Sequence, residues 1–144
     1  MDLNETYSWL NRSRKYDSEI RRLKAKADEL KNCLLSSGID YSKERVNSSP
    51  DDAMSKIFAE IDETEQMIRE KSLERGCVIS EISDTIETLD SELEKTVLTE
   101  FFISKKSISK IGKELSYDRS WVNKQKKEGI KKICSIIVTD AEET

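Results

Sequence analysis

The chain contains no histidine among its 144 residues. That absence removes Ser-His and Cys-His nucleophile arrangements together with the commonest zinc ligand. Cysteine is sparse as well. Cys33, Cys77 and Cys134 are scattered, odd in number and without C-x-x-C spacing, so they read as reduced thiols and not as a disulfide framework or a metal site. One proline and four glycines leave few turn residues for a sheet protein. No apolar run approaches the length of a membrane span, and the start MDLNETYSWLNRSRK has no apolar core of the signal-peptide kind. The acids of the middle segment fall at helical spacing with no glycine-bearing ligand loop, which is the pattern of a solvated face and not of a divalent-cation site. The expectation is a cytoplasmic protein with no membrane contact, no metal, no cofactor, no catalytic residues and no enzymatic activity.

What the chain has in quantity is charge: 38% of residues are charged against 35% hydrophobic. With so few chain breakers, this balance favours long exposed helices and an all-α fold. The length suits one compact domain, or a small domain plus an extended element. Charge is also unevenly distributed. Residues 104–133 hold ten Lys and Arg against Glu114, Asp118 and Glu128, a balance of +7. Residues 50–94 hold four basic side chains against fourteen acidic ones, a balance of −10. The overall net charge of −4 therefore does not exclude nucleic acid. Phosphate attraction is local, acting within a Debye length of about 8 Å at physiological salt.

Between Asn4 and Ser36 the apolar positions are Trp9, Tyr16, Ile20, Leu23, Ala27, Leu30 and Leu34. From Tyr16 onward the steps alternate four and three, a heptad seam. Ser36, Ser37 and Gly38 supply a helix stop, with Gly38 suited to the left-handed position past the end. A connection over residues 37–50 follows, long for a hairpin. Ser49 and Pro50 then restart a helix as cap and first helical residue, with Asp51 and Asp52 at its positive end. The second seam is Met54, Ile57, Ile61, Thr64 and Ile68. It resumes at Val78 or Ile79, then Ile82, Ile86 and Leu89, after an interruption by Lys71 and Arg75 near Gly76, where a bend or weak point is expected. Residues 1–89 thus read as a long antiparallel helical hairpin, coiled-coil-like. Two narrow helices cannot bury a deep core, so self-association into a homo-oligomer through this stalk is expected.

Residues 90–138 read differently. Ile108, Ile111 and Leu115 make one apolar face of a short helix, and Gly112 allows a second backbone to approach. After Ser116-Tyr117-Asp118, too short for anything but a tight turn, Asp118 can cap a helix opening at Arg119. In that helix Val122, Ile130 and Ile133 point inward. Two short helices with a three-residue turn, the second basic and polar outside, follow the helix-turn-helix plan. Phe101, Phe102 and Ile103 are expected in its core. Residues 139–144 form an acidic tail.

The segment SISKIGKELSYDRSWVNKQKKEGIKKI resembles the fourth conserved region of bacterial primary sigma factors, with Ile111-Gly112-Lys113, Arg119 and the ending Ile130 to Ile133 in equivalent places. The resemblance covers about a third of the chain. With Glu44-Arg45-Val46-Asn47-Ser48-Ser49 in the connection, the whole chain resembles small phage and prophage transcriptional regulators that carry a helical hairpin before such a module. The resemblance implies promoter recognition beside RNA polymerase, or activation of late phage genes, in a bacterial host. Two residues depart from the sigma pattern. Gln125 stands where the family has an apolar residue, and Gly129 lies inside a helix, at a cost of about 1 kcal/mol against Ala. Both lead to the expectation of a loosely packed recognition helix.

The expected base-reading residues are Arg119, Ser120, Asn123 and Lys124, since the first turns of the second helix enter the major groove of double-stranded DNA. Asn matches adenine, and Arg or Lys matches guanine, by hydrogen-bond pattern. Lys105, Lys106, Lys110, Lys113 and Lys127 are the expected phosphate contacts. Trp121 could face a base or pack against Tyr117, and packing or a phosphate-side contact is expected ahead of base reading. The function expected is a sequence-specific DNA-binding transcriptional regulator. An alternative of another class is a helical inhibitor or adaptor that binds a host protein through its coiled coil.

Overall fold

In the computed structural model the described residues are 2–36, 38 and 52–143, with side-chain surroundings described as far as residue 137. Among them every regular element is helical and no strand occurs. The elements are α1 (Leu3–Leu10), α2 (Ser13–Ser36), α3 (Asp52–Glu87), α4 (Glu92–Leu98), a π-helical turn (Thr99–Ile103), α5 (Ile108–Leu115) and α6 (Arg119–Glu143). None is long and apolar enough to cross a membrane. The Glu44–Ser49 motif, the Ser49 cap and the Pro50 start lie outside the described residues. So do the side chains of the expected acidic tail, although the α6 backbone runs to Glu143.

The chain divides into two compact units, Lys15–Arg75 on the one hand and Met1–Arg14 with Gly76–Thr144 on the other. In the first, Ile20, Ala27, Leu34, Ile61 and Thr64 are buried, while Tyr16, Leu23, Leu30, Ile57 and Ile68 are half-buried. One set of heptad positions is thus sealed and the other partly wet. The ion pairs Asp17–Arg75 at 2.6 Å, Glu19–Lys71 at 3.5 Å and Lys31–Glu65 at 2.7 Å join the two helices with numbers falling on α3 as they rise on α2, the order of an antiparallel pair. Lys71 and Arg75 therefore bridge to α2 where the apolar seam lapses. Glu19 foremost, then Glu74, holds the Lys71 ammonium above its ordinary pKa. The weak point expected near Gly76 does not interrupt the helix, which is continuous over 36 residues. At the far end of α2, Gly38 takes φ +81° and its N–H donates to the Leu35 carbonyl at 3.0 Å, ending the helix as its position suggested.

The second unit is built from both ends of the sequence. Its main core holds Leu10 of α1, Ile82 and Ile86 of α3, Leu89, Leu98, Phe102, and Ile130 and Ile133 of α6. The sequence expectation placed residues 1–89 in one stalk and began a new domain at residue 90. The compact units divide elsewhere, because the apolar seam of α3 serves two cores. Its part around Ile61 packs within residues 15–75, and its part around Ile82 packs with α1, α4 and α6.

Helix α1 is also a separate element and not the start of α2. Asp2 and Glu5 form a reciprocal cap, in which the Glu5 N–H donates to Asp2 Oδ1 at 2.8 Å and the Asp2 N–H donates to Glu5 Oε2 at 3.1 Å. The helix stops at Asn11, whose side chain accepts from Arg14 Nε at 2.6 Å. Arg12 then lays its guanidinium 4.4 Å from the Trp9 ring centroid and pairs with Glu81. Fully buried side chains such as Leu10, Ile82, Ile86 and Phe102 each contribute about 1.5–3 kcal/mol of apolar burial. The short α1 is held by that burial and by its cap.

Candidate nucleic-acid interface

The candidate site lies on α5 and α6, and its geometry begins with local chain chemistry. Ser107 caps α5, its Oγ accepting from the Lys110 N–H at 3.2 Å. At the other end Ser116 takes the left-handed conformation (φ 62°, ψ 42°), and the Tyr117 N–H donates to the Gly112 carbonyl at 2.9 Å. The chain turns there and α6 starts, the Val122 N–H donating to the Asp118 carbonyl at 3.0 Å. A Cβ on Gly112 would lie 2.8 Å from the Tyr117 carbonyl oxygen. Only glycine lets the turn fold back this closely, as the sequence led one to expect.

A second small core fixes the two helices. Val97, Ile111 and Val122 are fully buried, with Phe101, Ile108, Leu115 and Trp121 packed against them. Val122, Ile130 and Ile133 all face inward. Gly129 is buried under Leu98, and a Cβ there would meet Leu98 Cδ1 at 2.8 Å. The loose packing expected from a mid-helix glycine is therefore not found at this position. Nearby, Lys132 donates to both carboxylate oxygens of buried Glu94, at 2.8 and 3.0 Å, tying α6 to α4.

The turn over Thr99–Ile103 gave no signal in the sequence. Its widened hydrogen bonding, with the Ser104 N–H on the Thr99 carbonyl at 3.0 Å, places Phe101 and Phe102 edge to face at 4.9 Å. Lys105 follows with φ 57°. This conformation brings Lys106 between two carboxylates, 2.5 Å from Glu100 and 2.8 Å from Glu114. Hydrogen bonding to Glu100 first and Glu114 second raises the Lys106 pKa, and the same ammonium lowers that of Glu114. Lys106, expected to contact phosphate, instead ties the turn to α5, because two acids already hold its charge.

The remaining expected residues sit as follows. Lys110, Lys113, Arg119, Ser120, Lys124 and Lys127 are exposed, whereas Lys105 and Asn123 are half-buried. Among the described residues none of Lys110, Lys113, Arg119, Lys124 and Lys127 has a carboxylate partner within 4.0 Å. Among the exposed positions of α6, Ser120, Lys124, Lys127 and Lys131 are spaced i, i+4, i+7 and i+11. They form one ridge opposite Val122, Gly129 and Ile133. Arg119 and Asn123 flank this ridge at the start of the helix. Lys131, within 3.9 Å of Glu128, was missed by the sequence reading, although the spacing from Lys124 and Lys127 gives it away. Trp121 stacks on Tyr117 with centroids 4.0 Å apart and planes 22° from parallel, which is the packing alternative for that residue.

Across the described residues no three acidic, cysteine or histidine side chains converge to hold an ion. The chemistry present on the ridge and beside it is that of hydrogen-bond donors: the ammoniums of Lys124, Lys127 and Lys131, the Arg119 guanidinium, the Asn123 amide and the Ser120 hydroxyl. Lys131 also lies near Glu128. No family model matches the chain, and no curated protein or solved structure matches it.

Proposed function

We propose that α5 and α6 act as a DNA-binding helix-turn-helix, and that the protein is a non-enzymatic, sequence-specific regulator of transcription. The observation that carries this reading is the outward ridge of α6, where Ser120, Lys124, Lys127 and Lys131 stand exposed and Lys124 and Lys127 have no acid beside them. A ridge of donors on one rigid helix, held by a neighbour packed through a glycine, suits insertion into a major groove. Arg119, Ser120, Asn123 and Lys124 lie at the leading end and would read base edges. Lys110 and Lys113 on α5, with Lys105 and Lys127, would grip phosphates and set the register. Lys106 has a positioning part instead, holding α5 against the turn before it. From the sigma resemblance this reading takes the docking order alone, α5 across the backbone and α6 in the groove.

The test is direct. Fluorescence anisotropy of the full chain with a random-sequence duplex at two salt concentrations should give weak, steeply salt-dependent binding, with Kd of about 10⁻⁴–10⁻⁶ M at physiological salt. The double variant Lys124→Glu/Lys127→Glu should abolish it without altering the helical circular-dichroism spectrum. Binding left intact in that variant would remove the ridge from the interface.

The reading extends to self-association through residues 15–75, which would set two modules on paired half-sites. Leu35, Met67 and Leu73 support it, being 58%, 41% and 74% exposed on α2 and α3. Sedimentation at micromolar concentration should show a dimer or larger species. A monomer throughout that range would contradict it.

A further inference from the structure

We propose that the groove between α1 and α6 binds an acidic peptide segment of a partner protein, taking one large apolar side chain of that segment against Leu3, Tyr7 and Ile130 and its carboxylates at Lys126, Lys127 and Lys131. The groove has a volume of about 310 Å³, with Asn4 completing its lining. That is room for one or two side chains and not for a helix. Its floor is apolar and only partly covered by the chain itself: Leu3 is 46% and Tyr7 36% exposed. Tyr7 is held in place edge-on to Phe102, 5.5 Å away at 70°.

The rim is cationic, and among the described residues two of its three amines have no carboxylate beside them. The Lys126 ammonium sits 4.5 Å from the Phe101 ring centroid and 5.7 Å from that of Tyr7. Burial, and then Lys127 beside it, pushes the Lys126 pKa down. Among the described residues no carboxylate pairs with Lys126 or Lys127, and Lys131 has only Glu128 at 3.9 Å. No acid lines the groove. Three amines around an apolar floor are complementary to carboxylates flanking an apolar anchor. Duplex DNA offers phosphates to Lys127 and Lys131, which the ridge and the groove share, but nothing to cover Leu3, Tyr7 and Ile130, so the apolar floor is what selects the peptide.

The probe is a capped nine-residue peptide with a central leucine flanked by glutamates, labelled with fluorescein and titrated with the full chain. Two control peptides replace the leucine by alanine or the glutamates by glutamine. The wild-type chain should bind the first peptide at least tenfold more tightly than either control. Lys127→Glu/Lys131→Glu should weaken it on the order of tenfold or more, and Leu3→Ser severalfold, each with an unchanged melting temperature. Lys113→Glu, on α5, should leave it unchanged. Equal binding of the alanine peptide, or equal loss in Lys113→Glu, would reduce the effect to general charge attraction and overturn the proposal. Absence of binding at millimolar peptide would do the same. So would a dimer of the free chain that Lys127→Glu/Lys131→Glu dissociates, since the occupant would then be a second copy. No DNA enters the measurement, so its outcome is independent of the DNA-binding reading.

Discussion

Leu98 lies so close over Gly129 that a Cβ on the glycine would come within 2.8 Å of its Cδ1 and 3.2 Å of its Cγ. This contact sets how near α4 approaches α6, and it reverses what helix propensity alone would say of the position. A mid-helix glycine costs about 1 kcal/mol against alanine, so Gly129→Ala should stabilise an unconstrained helix. Here overpacking against fully buried Leu98 costs about 1–3 kcal/mol, which offsets that gain and leaves a net destabilisation of up to about 2 kcal/mol. Gly76 gives the matching control, because a Cβ there meets nothing within 4 Å. Gly76→Ala should stabilise by about 0.5–1 kcal/mol. Urea denaturation of the two variants should move the midpoint in opposite directions.

The unit that carries α5 and α6 is closed by α1 and the end of α3. Leu10 is fully buried in the core that also holds Ile82, Ile130 and Ile133. Leu10→Ala should therefore lower the stability of that unit by about 2–5 kcal/mol, even though residue 10 is far from α6 in sequence. A fragment of residues 90–144, lacking Leu10, Ile82, Ile86 and Leu89, should show no cooperative thermal transition by circular dichroism. A sharp transition in that fragment would contradict this account of the core.

Much of this was legible in the residues. The inward set Val122, Ile130 and Ile133, the short helix carrying Ile111, and the close approach at Gly112 follow from spacing and from what a missing Cβ permits. The alternation of Ile20, Ala27 and Leu34 with Tyr16, Leu23 and Leu30 was equally plain. The partners of each seam were not. Ile61 and Ile82 continue one helical stripe, and periodicity says which face is apolar without saying what covers it. The break at Asn11 leaves no mark in the residues because Asn and Arg are common inside a charged helix, and the reciprocal cap of Asp2 and Glu5 marks where α1 starts without saying where it ends. At the site, Lys106 looked like any other lysine of the basic segment. Its two acids, Glu100 in the Thr99–Ile103 turn and Glu114 on α5, meet it across a turn wound wider than an α-helix and a left-handed Lys105, conformations with no local signature.

The Lys106 cluster has a pH signature. Glu114 has its pKa lowered from 4.5, so its share of the stability is present above that value and is lost as pH falls through the folded-state pKa. Lys106 has its pKa raised from 10.5, so its share is present below that value and is lost as pH rises through the folded-state pKa. The melting-temperature difference between wild type and Lys106→Met should hold constant between about pH 5 and pH 10 and shrink on either side. Glu114→Gln should lack the acid-side loss that Glu114 causes. A difference that does not vary with pH would mean that the ion pairs contribute nothing.

The most direct test of the central claim is selection of a binding site from random duplexes with the full chain. Titrations of the selected and scrambled duplexes would follow, by wild type, Arg119→Ala, Asn123→Ala and Lys110→Ala. A good base contact is worth about 1–3 kcal/mol of discrimination. The account predicts that Arg119→Ala and Asn123→Ala weaken the selected site by that amount and leave the scrambled duplex nearly unchanged. Lys110→Ala should weaken both alike and lower the salt slope by roughly one unit. Failure to enrich any site, or equal weakening of both duplexes by Arg119→Ala and Asn123→Ala, would contradict it.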